Sequence, residues 1–203
     1  FHYSGWTASV ILGVEYAYLS GADIFLYVEQ DVALWEKNRG VLRQIIIESL
    51  DQCPFLFGSG HGTPQTLQQS FFAIHRRGMR KFLRGLHDID LSDRGLSPET
   101  KFHIALAPRF TKGPLLALSN AQWTQGLPFP SWRKICNGVQ RAIENVANRV
   151  TRRYQVWDFG YGRARPIRFS DDVFYFQHAS ESELSRYEEM MQFILEDKET
   201  YRC

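Results

Sequence analysis

The sequence predicts an α/β fold: one domain over residues 1–203, with an open, mostly parallel sheet and helices on both faces. Three observations lead there. An amphipathic helical pattern ends at Gly21 and feeds directly into a continuous apolar run at 24–28. Further helical patterns and short apolar pieces follow along the chain. At 203 residues and 44% hydrophobic content, the chain is long and apolar enough for one sizeable core.

The first helix is expected to be capped by Ser4, to bury Trp6, Val10, Ile11, Val14 and Tyr18, and to close at Gly21. The run Ile24-Phe25-Leu26-Tyr27-Val28 is rich in β-branched and aromatic residues, which predicts a central strand covered on both faces. A second helix over 36–50 places Val41, Leu42, Ile45 and Ile46 on one face. The short apolar piece 53–57 precedes the glycine-rich loop 58–64, in which glycine serves unusual dihedrals or close backbone approach. Residues 70–74 read as a strand and 78–86 as a short basic helix.

A polar, turn-rich stretch at 87–101 follows, and 102–106 suits helix or strand. Residues 115–118 read as a strand, and Pro128 and Pro130 punctuate a loop. Ser131 is then expected to cap a long helix with Trp132, Ile135, Val139, Ile143, Val146 and Val150 inward. Residues 154–170 mix aromatics, glycines and arginines as a loop, 173–176 predicts a strand, and Ser180 with Glu183 forms a capping box for a final helix.

The net charge of +2 does not by itself indicate a nucleic-acid partner. Acids crowd into 181–199, leaving the rest more basic, as suits an anionic small ligand or an ordinary surface. Arg133, Lys134, Arg141, Arg149, Arg152 and Arg153 read as a solvated or phosphate-facing surface rather than a specific nucleic-acid reader. Cys53, Cys136 and Cys203 are an odd number without metal spacing, which favours a reduced, cytoplasmic compartment or buried free thiols, with an extracellular or luminal setting as the alternative. No stretch approaches the ~20 apolar residues of a membrane span. Oligomeric state is not encoded in any feature of the chain.

Chemistry concentrates first at Glu29 and Asp31. Two apart on an extended backbone, their side chains point the same way, with Cα atoms roughly 6.6 Å apart. Such a pair can hold a hard divalent cation, directly or through water, and the cation can neutralise phosphate. The alternative is that both acids cap the next helix or face solvent. A strand end delivered into a crevice favours the ligand.

The passage Ala22-Asp23-Ile24-Phe25-Leu26-Tyr27-Val28-Glu29-Gln30-Asp31 resembles the GT-A class of nucleotide-sugar glycosyltransferases, in which a helix leads into a hydrophobic strand ending in an Asp-x-Asp motif. Glutamate stands in the first acidic place. The resemblance is one of layout and runs from Ser4 to Ser180. It implies a GT-A-like sheet with only part of the N-terminal nucleotide-binding βαβ region present. It further implies Mn²⁺ or Mg²⁺ on the donor diphosphate, with Asp31 as the stronger ligand and Glu29 supporting the metal shell or contacting the nucleotide ribose.

Other polar groups are candidates for the same site. His178 can supply a nitrogen ligand or contact phosphate, or simply bond to backbone before the final helix. The segment Phe176-Gln177-His178-Ala179-Ser180 resembles the late-chain histidine element of GT-A enzymes, which implies a metal ligand. Within Trp157-Asp158-Phe159-Gly160-Tyr161-Gly162-Arg163-Ala164-Arg165-Pro166, the arginines Arg163 and Arg165 can offer forked donors to a diphosphate, and Tyr161 can stack on a sugar or base. A solvent-facing aromatic loop is the simpler reading.

Glu99, after Pro98, suits the base that deprotonates an acceptor hydroxyl, with Asp88, Asp90 and Asp93 as competitors. The Pro98-Glu99 pair also suits a helix start, where the dipole alone explains a glutamate. By the resemblance, Ser97-Pro98-Glu99-Thr100-Lys101-Phe102 corresponds to the region carrying the base of inverting GT-A enzymes. Gln65, Gln68 and Gln69 are expected to shape a sugar or acceptor pocket, and His61 and His75 to be surface or core residues.

The leading expectation is metal-dependent transfer of a sugar from a nucleotide-diphosphate donor to a glycan or other hydroxyl acceptor, by inversion, with retention as the alternative. A metal-dependent phosphoester hydrolase would need more converging acids. A non-enzymatic carbohydrate-binding module would use the aromatics and glycines but not the acidic strand end.

Overall fold

The computed structural model describes residues 5–29, 32–34, 39–59, 67–89, 98–107, 130–157 and 175–177. Helix α1 (Gly5–Leu19) forms as its pattern predicts: Val10, Ile11 and Val14 are buried, and Trp6 and Tyr18 pack partly buried beside them. Thr7 and Ala17 complete the inner face. Gly21 ends the helix at φ +83, in the left-handed region open to glycine, and the Ala22 N–H donates back to the Ala17 carbonyl at 3.0 Å. Ser4 lies outside the described residues.

Strand β1 (Ile24–Val28) follows. Its neighbour is β4 (Leu67–His75), antiparallel, in a register running from Ile24 opposite His75 to Val28 opposite Phe71. Beyond β4 lies β3 (Phe55–Ser59), also antiparallel, with a register shift between Phe57 and Gly58, and then β5 (Gln155–Trp157), parallel to β3. The four-stranded order is β1-β4-β3-β5. A separate antiparallel pair joins β2 (Val32–Leu34) to β6 (Tyr175–Gln177).

The α/β class is therefore correct, while two finer expectations are not. Two of the three ladders in the sheet are antiparallel, so the described sheet is not mostly parallel. Nor is β1 central: among the described residues it pairs on one side alone. Phe25 and Tyr27 turn to the core, whereas Ile24 and Leu26 stay 36% and 46% exposed. An apolar run reports side-chain preference for a pleated surface and carries no information about strand direction or about a covering element.

Helices do cover both faces. Helix α2 (Arg39–Gln52) lays Leu42, Ile45, Ile46 and Leu50 on Leu56, Phe71 and Ala73, while Val41 points to solvent, contrary to its expected place inward. On the opposite face α1, α3 (Arg76–His87) and α4 (Pro98–Leu106) pack around the phenyl rings of Phe55, Phe57, Phe72, Phe82 and Phe102. Phe72 is at their centre, with ring contacts to Phe25, Tyr27, Phe57, Phe82 and Phe102. Each buried ring contributes ~1.5–3 kcal/mol before entropy is counted. The segment 102–106, open between helix and strand, is helical in α4, which starts at Pro98.

Helix α5 (Pro130–Thr151) is as long as expected, but three of the four members of its predicted stripe whose side chains are described are not buried. Ile143 packs on the core, while Val139, Val146 and Val150 are 45%, 62% and 77% exposed. Ser131 falls inside the first turn rather than at the cap. At the far end, the Asn148 amide accepts from the Arg153 and Tyr154 N–H groups and donates to the Tyr154 carbonyl. That clasp, with Arg152 at φ 42, turns the chain from α5 into β5. The predicted strand at 115–118 and the final helix lie outside the described residues.

Candidate functional site at the carboxyl end of the first strand

Glu29 follows β1 directly, and its N–H donates to the Ser70 carbonyl at 2.9 Å, extending the β1–β4 pairing by one step. Its side chain is half-buried, and Gln69 Nε2 approaches Glu29 Oε1 at 3.5 Å. The carboxylate is thus positioned at a rim where β1 and β3 end and β4 begins. Gln69, expected to shape a ligand pocket, meets the acid at this rim.

The same rim receives the starts of α1 and α4. Trp6 touches both Tyr27 and Phe102, at centroid distances of 5.9 and 5.3 Å. Lys101, fully buried in the first half of α4, donates from Nζ to Thr7 Oγ1 at 2.8 Å. A buried ammonium is costly unless hydrogen-bonded, so this contact fixes the start of α4 against the start of α1. Glu99 lies in the backbone of that first turn, two residues before Lys101; its side chain lies outside the described residues. The Trp6 indole Nε1 is buried and has no hydrogen-bond partner among the described residues. Neither emerges as a rim residue from local pattern, because Lys101 closes the polar stretch 87–101 and Trp6 belongs to the apolar face of α1.

Asp31, His178, Tyr161, Arg163 and Arg165 lie outside the described residues. Their sequence neighbours do not: Val32 pairs with Gln177 in the antiparallel β2–β6 ladder. Among the described residues no group of three or more His, Cys, Asp or Glu is placed to hold a metal ion.

Behind this rim, His103 on α4 is buried, with Nδ1 3.2 Å from the Tyr154 hydroxyl. Burial drives its pKa down to about 3, so the ring is neutral and ties α4 to the strand entering β5. Cys53 is a buried free thiol, as expected; its Sγ donates to the Arg153 carbonyl at 3.0 Å, and burial raises its pKa. His75 is the N-cap of α3, its Nδ1 accepting from the Arg77 N–H at 3.2 Å. No helix among the described residues is long and apolar enough to cross a membrane.

No protein-family model matches the chain, and comparison with curated proteins and with solved structures returned no match.

Proposed function

We propose that the chain is a metal-dependent glycosyltransferase that moves a sugar from a nucleotide-diphosphate donor to a glycan or other hydroxyl acceptor, with inversion. The observation that carries this reading is the β2–β6 ladder. Val32, the residue after Asp31, is paired with Gln177, the residue before His178. A carboxylate and an imidazole flanking one strand pair are a donor set that suits Mn²⁺, with Mg²⁺ served by the oxygens alone. The bound ion would supply positive charge to a departing diphosphate.

Roles for the chain's own groups follow from their chemistry. Asp31 and His178 hold the ion, and Glu29, steadied by Gln69, supports that shell or the nucleotide ribose. Arg163 or Arg165 adds forked donors to the diphosphate, and Tyr161 stacks on the sugar or base. Glu99 accepts the acceptor's proton from the rigid first turn of α4, where a base is well held. A reducing cytoplasmic setting suits the free Cys53 thiol.

Titration calorimetry with UDP, GDP and TDP, each with and without Mn²⁺, tests the reading. One nucleotide is expected to bind tightly in a metal-dependent manner, and Asp31→Asn to remove that dependence. Glu99→Gln is then expected to abolish transfer while donor binding persists. Failure of all three nucleotides to bind the folded chain sinks the proposal, and persistent transfer by the Glu99 variant removes the base assignment.

A further inference from the structure

At the opposite end of β1 the sheet opens into a cleft of about 390 Å³, lined by Tyr18, Asp23, His75, Arg76, Arg77 and Arg80. The Arg76 and Arg77 backbones begin α3, and Arg80 lies one turn on. Arg76 is fixed twice: Nη1 donates to the Tyr18 carbonyl at 2.8 Å, and the guanidinium lies 4.8 Å from the Tyr18 ring centroid. Arg77 donates from Nη2 to the Leu50 and Asp51 carbonyls. Neutral carbonyls orient these two guanidiniums without cancelling their charge, and each has further N–H donors not used among the described residues. None of the three arginines has a carboxylate within ion-pair distance among the described residues, although Asp23 shares the cleft.

The placement also runs against local helix electrostatics. The positive end of a helix dipole favours acids in its first turn, yet the first turn of α3 has none and carries Arg76 and Arg77. Helix α3 has no acidic residue anywhere, against Arg76, Arg77, Arg80, Lys81 and Arg84. Like charges gathered at a positive helix end are unfavourable in the empty cleft, and a bound anion converts that repulsion into charge-assisted hydrogen bonds. A local rule broken at a cleft of this kind marks a ligand site.

We propose that this cleft is a second, metal-independent site that takes a phosphate monoester, with Arg76, Arg77 and Arg80 as its donors. The phosphate can belong to a free small molecule or to a lipid headgroup. Asp23 disfavours more highly charged ligands and limits affinity. The cleft lies roughly 20 Å from Glu29, six residues along an extended strand, so it is separate from the rim assigned to the donor and does not depend on that assignment.

The test uses the full chain and inorganic phosphate without divalent cation, at ionic strength matched with chloride. Phosphate is expected to bind and to raise Tm. Arg80→Ala, which removes an exposed side chain with no hydrogen bond or ion pair among the described residues, is expected to weaken binding roughly tenfold. Asp23→Asn is expected to strengthen it several-fold, and Glu29→Gln to leave it unchanged. In a second arm, phosphatidylcholine vesicles with and without phosphatidic acid are sedimented with the chain. Arg80-dependent retention on the acidic vesicles assigns the phosphate to a lipid, and binding of free phosphate without retention assigns it to a soluble ester. Absence of both, or equal phosphate affinity in wild type and Arg80→Ala, overturns the proposal.

Discussion

His103 binds its proton near pH 3 in the folded chain, against an ordinary value of 6.5 once the chain unfolds. Between those values the unfolded state holds the extra proton, so stability rises with pH there. The contribution is complete above about pH 6.5 and is lost progressively as pH falls toward 3. His103→Gln keeps a polar side chain facing the Tyr154 hydroxyl and removes the titration. Urea unfolding at pH 7, 5.5 and 4.5 is expected to show the wild type losing more stability on acidification than the variant, at a slope difference of up to ~1.4 kcal/mol per pH unit. Equal slopes would show that His103 is solvated. Nothing local in Lys101-Phe102-His103-Ile104 distinguishes a buried neutral histidine from an exposed one, because burial is set by Tyr154, some fifty residues on.

At the scale of elements, the tightest constraint is between α3 and α4. A methyl group on Gly85 would run into the backbone of Ala105, so the two helices meet with no room for a side chain. Gly85→Ala is expected to destabilise the fold by ~1–3 kcal/mol despite its better helix propensity. Gly138→Ala on α5, where an added methyl meets nothing within 4 Å, is expected to be neutral or to stabilise by up to ~1 kcal/mol. Thermal or chemical unfolding of both variants checks the pair, and equal effects would mean that α3 and α4 do not pack this closely. The existence of these helices was legible from their periodicity. Which stripe of α5 is covered was not: its valines recur at helical spacing, yet Val139, Val146 and Val150 face solvent. A hydrophobic stripe is a propensity to be covered, and only a neighbouring element converts it to burial.

In the whole molecule, β1 has the Glu29 rim at one end and the arginine cleft at the other. With no shared side chain between them, the metal–nucleotide complex and phosphate are expected to raise Tm additively, within the error of independent sites. Thermal scans with each ligand and with both check this, and a combined shift no larger than the greater single one would mean a shared site. Glu29 at the strand end, the closing glycine of α1 and the helix start at Pro98 were all readable, since each depends on a few adjacent residues and their backbone preferences. The basic character of 78–86 was readable too, but not the cleft, because Tyr18 and Asp23 reach it from α1 and the start of β1.

By itself, then, the sequence determined the existence of the helices, the closing glycine of α1, the helix start at Pro98 and a carboxylate, Glu29, directly after the first strand. Tertiary structure alone decided the mixed, mostly antiparallel sheet, the edge position of β1 among the described strands, the Val32–Gln177 pairing and the meeting of Tyr18 and Asp23 with the arginines of α3. The physical reason is range. Dihedral preference and side-chain period act over a few residues, whereas strand partners and the walls of a cleft join segments tens to more than a hundred residues apart, where no local pattern records them.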